Sequence, residues 1–208
     1  MMGMPTANML TFCLSMKSFV IGILALVLMA WFVWPRPQTP AGAAIAALPL
    51  ASHPEKPWQK NGHKIIPLKK FQINALVLRA ERYWMDRESQ LSPLDLALGW
   101  GPMSDPAVLK RLSIMQSGRW YYVSWGRNPP LSERQIFSNS SNCHIIPATD
   151  KLAHTLKGLS KGDLVDLSGY IVRVEGPDGW QWSNSTSWDN GGGSHACKIL
   201  WVESCVSK

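Results

Sequence analysis

Cys143-His144 and His195-x-Cys197 bring two thiols and two imidazoles into one chain of 208 residues. Together they are the donor set of a structural zinc site. Their spacing is not that of a zinc finger, and the four cysteines include no C-x-x-C pair. A disulfide or ordinary buried cysteines are therefore preferred to a metal, and Cys143 with Cys197 is the disulfide candidate. A second group is acidic. Asp86, Glu88, Asp95 and Asp105 fall within one short stretch, and Asp86, Asp95 and Asp105 form an alternative catalytic set in which paired carboxylates act as acid and base. The competing reading places Asp95 and Asp105 at helix N-termini, where a carboxylate caps free amides. Ser92 and Ser104 also read as caps, since neither sits in a nucleophile elbow. Gly191-Gly192-Gly193-Ser194 lacks the lysine of a phosphate loop. No cofactor is expected.

Tryptophan is in excess, with 11 residues, of which Trp31 and Trp34 end an apolar run and nine follow it. Trp84, Trp100, Trp180 and Trp182 are the candidate binding face for a glycan or protein, while core packing is the preferred reading of any single tryptophan. Basic residues outnumber acidic ones 21 to 14 without forming a block. That modest surplus suits a solvated surface near anionic lipid and disfavours nucleic acid.

The elements that must hold these residues begin with the run FVIGILALVLMAWFVW. Counted from Met16, residues 16–34 span roughly 28 Å as a helix, against about 30 Å of bilayer hydrocarbon. Lys17 snorkels at one end and the two tryptophans sit at the other. Pro35 and Pro37 stop the helix. This reads as a signal-anchor in preference to a cleaved signal peptide. Met16-Lys17-Ser18 has the form of a bacterial start, which makes residues 1–15 a possible upstream extension. The expected location is the bacterial inner membrane, with the N-terminus cytoplasmic and the C-terminal domain periplasmic. Residues 35–62, rich in Pro and Ala, read as a tether.

Residues 63–208 read as one α+β domain: a curved antiparallel sheet or small barrel with a few short helices. Strand alternation is expected over residues 71–79, 113–117, 119–125, 138–146, 164–174, 180–188 and 196–203. Short helices are expected after Ser92-Pro93, after Ser104-Asp105-Pro106, over residues 132–137 and over residues 150–159, the last capped by Thr149.

The segment 159–172, LSKGDLVDLSGYIV, resembles strands of OB-type and SH3-like small barrels. The segment 86–105, with LSPLDLALGWGPMSD, resembles a group of uncharacterised membrane-anchored bacterial proteins, and that resemblance implies an envelope location without implying an activity. The resulting expectation is a membrane-tethered binding or accessory module for a protein or envelope component. An envelope hydrolase using the carboxylates is the alternative, followed by a small barrel that binds single-stranded nucleic acid.

Overall fold

The computed structural model describes residues 47–48, 56–188 and 197–207. The apolar run of residues 16–34, most of the tether and His195 lie outside the described residues. No helix among the described residues is long and apolar enough to cross a membrane. They form an α+β arrangement that is mostly sheet, with ten strands and three short α-helices.

The sheet is organised by one long strand. After β1 (Ala47–Leu48) and β2 (Trp58–Lys60), strand β3 runs from His63 to Arg82. Two register shifts, at Pro67/Lys69 and Val77/Arg79, bend it, as an extra residue on one strand does. Bent in this way, β3 pairs along its first part with β8 (Leu164–Glu175) and along its second with β4 (Leu94–Gly99). From β4 the pairing continues to β7 (Ser140–Pro147), to β10 (Lys198–Ser207) and back to β8. Five strands thus return on themselves, and the sheet is curved. The β7–β10 pair is parallel, which corrects the expectation of an all-antiparallel sheet. Helix α3 (Asp150–Gly158), capped by the Thr149 hydroxyl, links β7 to β8.

Alternation decides which side chains face inward. Leu94, Leu96 and Leu98 of β4, Cys143 and Ile145 of β7, and Phe71, Ile73, Ala75 and Val77 of β3 share one buried cluster with Leu167, Leu200 and Val202. A second cluster lies on the outer face of β3 and β4, where Leu76, Leu78 and Ala97 meet Met103 and Ile136. It is roofed by the hairpin β5 (Leu112–Ser117) and β6 (Trp120–Trp125), whose Ile114, Tyr121 and Val123 pack down on it. Short helices α1 (Pro106–Leu109) and α2 (Glu133–Ser138) flank this roof. Asp105 caps α1, and a Ser132–Gln135 capping box starts α2.

Several expected elements differ. The helix expected after Ser92-Pro93 is strand β4. Its six residues are all buried, and a strand covered on both faces loses the polar alternation that would mark it. β3 continues to Arg82, beyond the strand end expected at residue 79. Of residues 180–188 only Gln181–Trp182 pairs, as β9 against β8. The ordered chain starts before residue 63, because Trp58 packs edge-on against Tyr170 and Trp201.

Gly169 marks the tightest backbone approach in the ring. It has φ +152, opposite Val202 of β10, and a Cβ there would overlap the Trp201 carbonyl oxygen. Gly169→Ala should therefore lower stability by about 2 kcal/mol or more, read as a reduced urea midpoint with the slope unchanged.

Candidate functional site

The outer faces of three neighbouring strands carry the polar residues. Asp95 on β4 stands directly opposite His144 on β7. Facing pairs on one side of a sheet touch, and the His144 Nδ1 to Asp95 Oδ2 distance is 2.9 Å. Asn142, two residues along β7, lies on the same face and donates to the same carboxylate oxygen at 3.1 Å. On β10 the parallel register pairs Lys198 with Cys143. Cys197, one residue earlier, therefore belongs to the face of Asn142 and His144. Its side chain borders the same cavity as His144. Asp95, His144 and Cys197 form a continuous row across β4, β7 and β10.

The β5–β6 hairpin supplies the cation. Its two-residue turn is Gly118-Arg119, with φ +56 and +66. Positive φ at both positions matches the right-handed twist of a hairpin but is strained for a non-glycine residue. Arg119 is held there from every side. Its N–H donates to the Tyr83 hydroxyl at 3.0 Å, and its carbonyl accepts from Asn142 at 3.1 Å. Its guanidinium meets Asp86 in a two-pronged contact (2.7 and 2.9 Å), reaches Asp95 Oδ1 at 3.1 Å and donates to the Ser92 carbonyl at 2.9 Å. The Tyr83 ring lies beneath it at 4.2 Å. Asp86 is fixed in turn, because it caps the 3-10 turn Arg87–Gln90 through the Ser89 amide.

These contacts set the protonation states. Asp95 is fully buried, and Arg119, Asn142 and His144 satisfy its oxygens. Burial opposes charge on His144, but the hydrogen bonds to Asp95 and Cys197 and the Asp95 charge outweigh it, raising its pKa to about 9. The hydrogen bond from Arg119 holds Asp86 below the usual carboxylate range. Burial, then the charge on Asp95, pushes Tyr83 up to about 12.

Above this network lies an open cavity of about 490 Å³. His144, Cys197 and Arg119 border it together with Trp120, Trp182 and Asn184, while Asp86 and Glu88 form its acidic edge. The Trp182 ring lies 5.0 Å from that of His144 and 5.9 Å from that of Trp180.

The residues singled out from the sequence separate cleanly. Asp86 and Asp95 meet, but across the Arg119 guanidinium and not as a free acid and base. Asp105 is not with them; its carboxylate accepts from the Ala107 amide at 2.8 Å. Trp182 lines the cavity, with Trp180 beside it. Trp84 is 78% exposed, whereas Trp100 is buried edge-on against Trp188. Cys143 and His144, adjacent on an extended strand, face opposite sides of the sheet and do not share one ion. His195 lies outside the described residues, and among those residues no group of three or more His, Cys, Asp or Glu side chains is arranged to hold a metal. Cys143 and Cys197 are free thiols here. Burial pushes the Cys143 thiol up to about 12.

Arg119, Tyr83 and Asn142 were not singled out from the sequence. The one available signal was Gly118-Arg119 between two alternating runs, which marks a hairpin tip. Comparison with models of protein families, with curated proteins and with solved structures gave no match. The resemblance of segment 86–105 rests on its residues alone.

Removing the Asp95 carboxylate leaves two buried cations facing each other. Asp95→Ala should destabilise by about 3–5 kcal/mol, measured by urea melts near neutral pH. The raised pKa of His144 gives a stabilisation that is complete below about pH 6.5. It is lost as pH rises through about 9. Melts across that window should show a falling midpoint, and His144→Gln should flatten the fall.

Proposed function

We propose that this chain is a membrane-tethered domain of the bacterial cell envelope that binds a protein or envelope component in the Arg119 cavity. The cavity itself carries the proposal. At about 490 Å³ it falls in the range of roughly 300–1,000 Å³ typical of small-ligand sites. Trp120 and Trp182 offer flat apolar walls, and the Asp86–Arg119–Asp95–His144 network fixes the polar floor. A floor already ordered in the free protein reduces the entropy lost on binding.

We read the five-strand ring as an OB-type small barrel. The order β3–β4–β7–β10–β8, the parallel β7–β10 pair and the helix between β7 and β8 agree with that connectivity. Such barrels bind ligands on the face of their second and third strands and at the loops after the first and fourth. The corresponding parts here are β4, β7, the segment carrying Asp86 and Glu88, and the segment carrying Trp182 and Asn184. All of them border the cavity or its floor. Residues 16–34 serve as the anchor, with the domain outside the cytoplasm.

The carboxylate-hydrolase alternative is weaker, because Asp86 spends both oxygens on Arg119 and Asp95 spends its own on Arg119, Asn142 and His144. The nucleic-acid alternative has the aromatic rings but not the charge. Asp86 and Glu88 balance Arg119 and His144 around the cavity, which leaves no net positive charge to attract phosphates.

The test is a tryptophan-fluorescence titration of the full chain in detergent micelles with a muropeptide, chitotetraose or oligothymidylate. Saturable change with the muropeptide or the oligosaccharide is expected, weakened about 30-fold by Trp182→Ala. Saturation by oligothymidylate alone, falling steeply with salt, would overturn the reading. A C-terminal topology reporter active only in the cytoplasm would overturn the location.

A further inference from the structure

The cavity holds a nucleophile that binding alone does not need. We propose that Cys197 is a catalytic thiol that accepts acyl groups from neutral or cationic thioesters and esters, with His144 as its base and Asp95 as the positioning residue. The inference rests on the reading of this cavity as a ligand site and goes beyond it, from holding a ligand to reacting with one.

Three observations carry it. First, the order of the row is that of an activated nucleophile. A thiol and an imidazole on neighbouring strands border the same cavity, and the imidazole's Nδ1 is fixed by a buried carboxylate at 2.9 Å. A nucleophile, a base within hydrogen-bond reach and a third group orienting that base are the parts this chemistry requires. Second, the row is accessible from one end only. Asp95 is fully buried, whereas His144 and Cys197 border the cavity. Third, the described cysteines are sharply distinguished. Cys143 faces the apolar interior among Leu96 and Ile145, and Cys205 packs against that same cluster. Of the three, Cys197 is the one with a base.

The step balances without an external oxidant or a metal. With the Cys197 proton held on His144, the sulfur attacks the acyl carbon to form a C–S bond. The bond from that carbon to the leaving thiol or alcohol breaks, and the leaving group departs with the proton from His144. Water, or a second nucleophile held in the cavity, then attacks the enzyme thioester, gives up its proton through His144 and restores the thiol. Exchange between two thioesters is close to thermoneutral, so a thioester donor loads the cysteine readily. Substrate charge follows from the lining. With the Cys197 proton on His144, Asp86, Glu88 and the Cys197 sulfur against Arg119 and His144 leave one formal negative charge, beside the rings of Trp120 and Trp182. Carboxylates and aromatic faces both attract cations, so a cationic acyl donor is favoured over an anionic one.

The experiment uses the full chain in detergent micelles, with acetylthiocholine as cationic donor and S-acetylmercaptosuccinate as anionic donor. Intact mass and peptide mapping follow the adduct. A single acetyl group on Cys197 is expected, formed at least ~100-fold faster than on Cys205, the range that a positioned base supplies. Acetylthiocholine should be the faster donor. Cys197→Ser should remove the adduct, His144→Gln should slow it by a similar ~100-fold, and Cys205→Ser should leave it unchanged. Asp95→Asn should slow it less, and should also move the His144 Nδ1–H proton resonance. Equal acylation of Cys197 and Cys205, or an equal rate in the wild type and His144→Gln with the circular dichroism unchanged, would overturn the proposal. If His144→Gln fails to fold, the Cys197-to-Cys205 rate ratio in the wild type decides alone. The muropeptide titration repeated on Cys197→Ser separates the two ideas: retained binding without wild-type acylation removes only the catalytic thiol.

Discussion

A carboxylate with no exposed surface has to be satisfied by the protein, and the Asp95 side chain is that group. Its oxygens receive Arg119, Asn142 and His144, from the hairpin tip and from β7. The position of each donor is constrained by that single acceptor. Arg119 reaches it only if the β5–β6 hairpin closes over the outer face of the sheet with its turn in a left-handed conformation. His144 reaches it only if β4 and β7 hold the register Asp95↔His144. A slip of one residue would turn Asp95 to the interior face, away from Arg119 and His144. Register of the central strands and charge balance of the site are the same constraint.

The alternation that places Asp95 outside also places Leu94 and Leu96 inside. β4 therefore serves two environments with six residues, and β7 repeats the pattern with Asn142 and His144 outward, Cys143 and Ile145 inward. The bends in β3 allow this, because they let one strand border the ring on both sides and curl the sheet around its apolar cluster. Strands that close on themselves leave their outer face for covering elements. The hairpin covers one part of it with Ile114, Tyr121 and Val123, and the cavity occupies the part beside it.

How much of this was readable beforehand depended on whether the signal was local. The caps at Asp105 and Thr149 and the helical turn after Ser132 depend on side chains reaching two or three residues along, and they were read as they stand. The hairpin strands alternate visibly because their outer face meets water. β4 failed for the opposite reason: Ser92-Pro93-Leu94-Asp95 has the chemistry of a helix start, while the strand it opens is buried on both sides. Asp95 was accordingly noticed for the wrong role. Arg119 was passed over because a lone arginine at a hairpin tip has no periodicity to mark it; its partners lie 24 and 33 residues away. Cys143-His144 looked like a shared ligand pair by adjacency, whereas adjacency in a strand separates two side chains across the sheet.

The ion network is a poor device for stability alone. Replacing a buried ion pair with well-packed apolar groups is often neutral or stabilising by about 1–4 kcal/mol, and the hairpin already has an apolar face packed on Leu76, Leu78 and Ala97. Leucine at the positions of Asp95 and Arg119 would close the same gap without desolvating any charge. What apolar side chains would not do is hold a cationic imidazole against a thiol at the edge of a cavity. His144 with its pKa near 9 depends on its hydrogen bond to Asp95, whose other oxygen Arg119 takes. The strained turn at Arg119 fits the same account, since unusual backbone conformations persist where surrounding contacts hold them for a purpose. The polar row across β4, β7 and β10 is thus explained by what it presents to the cavity, and the apolar clusters by what holds the sheet together.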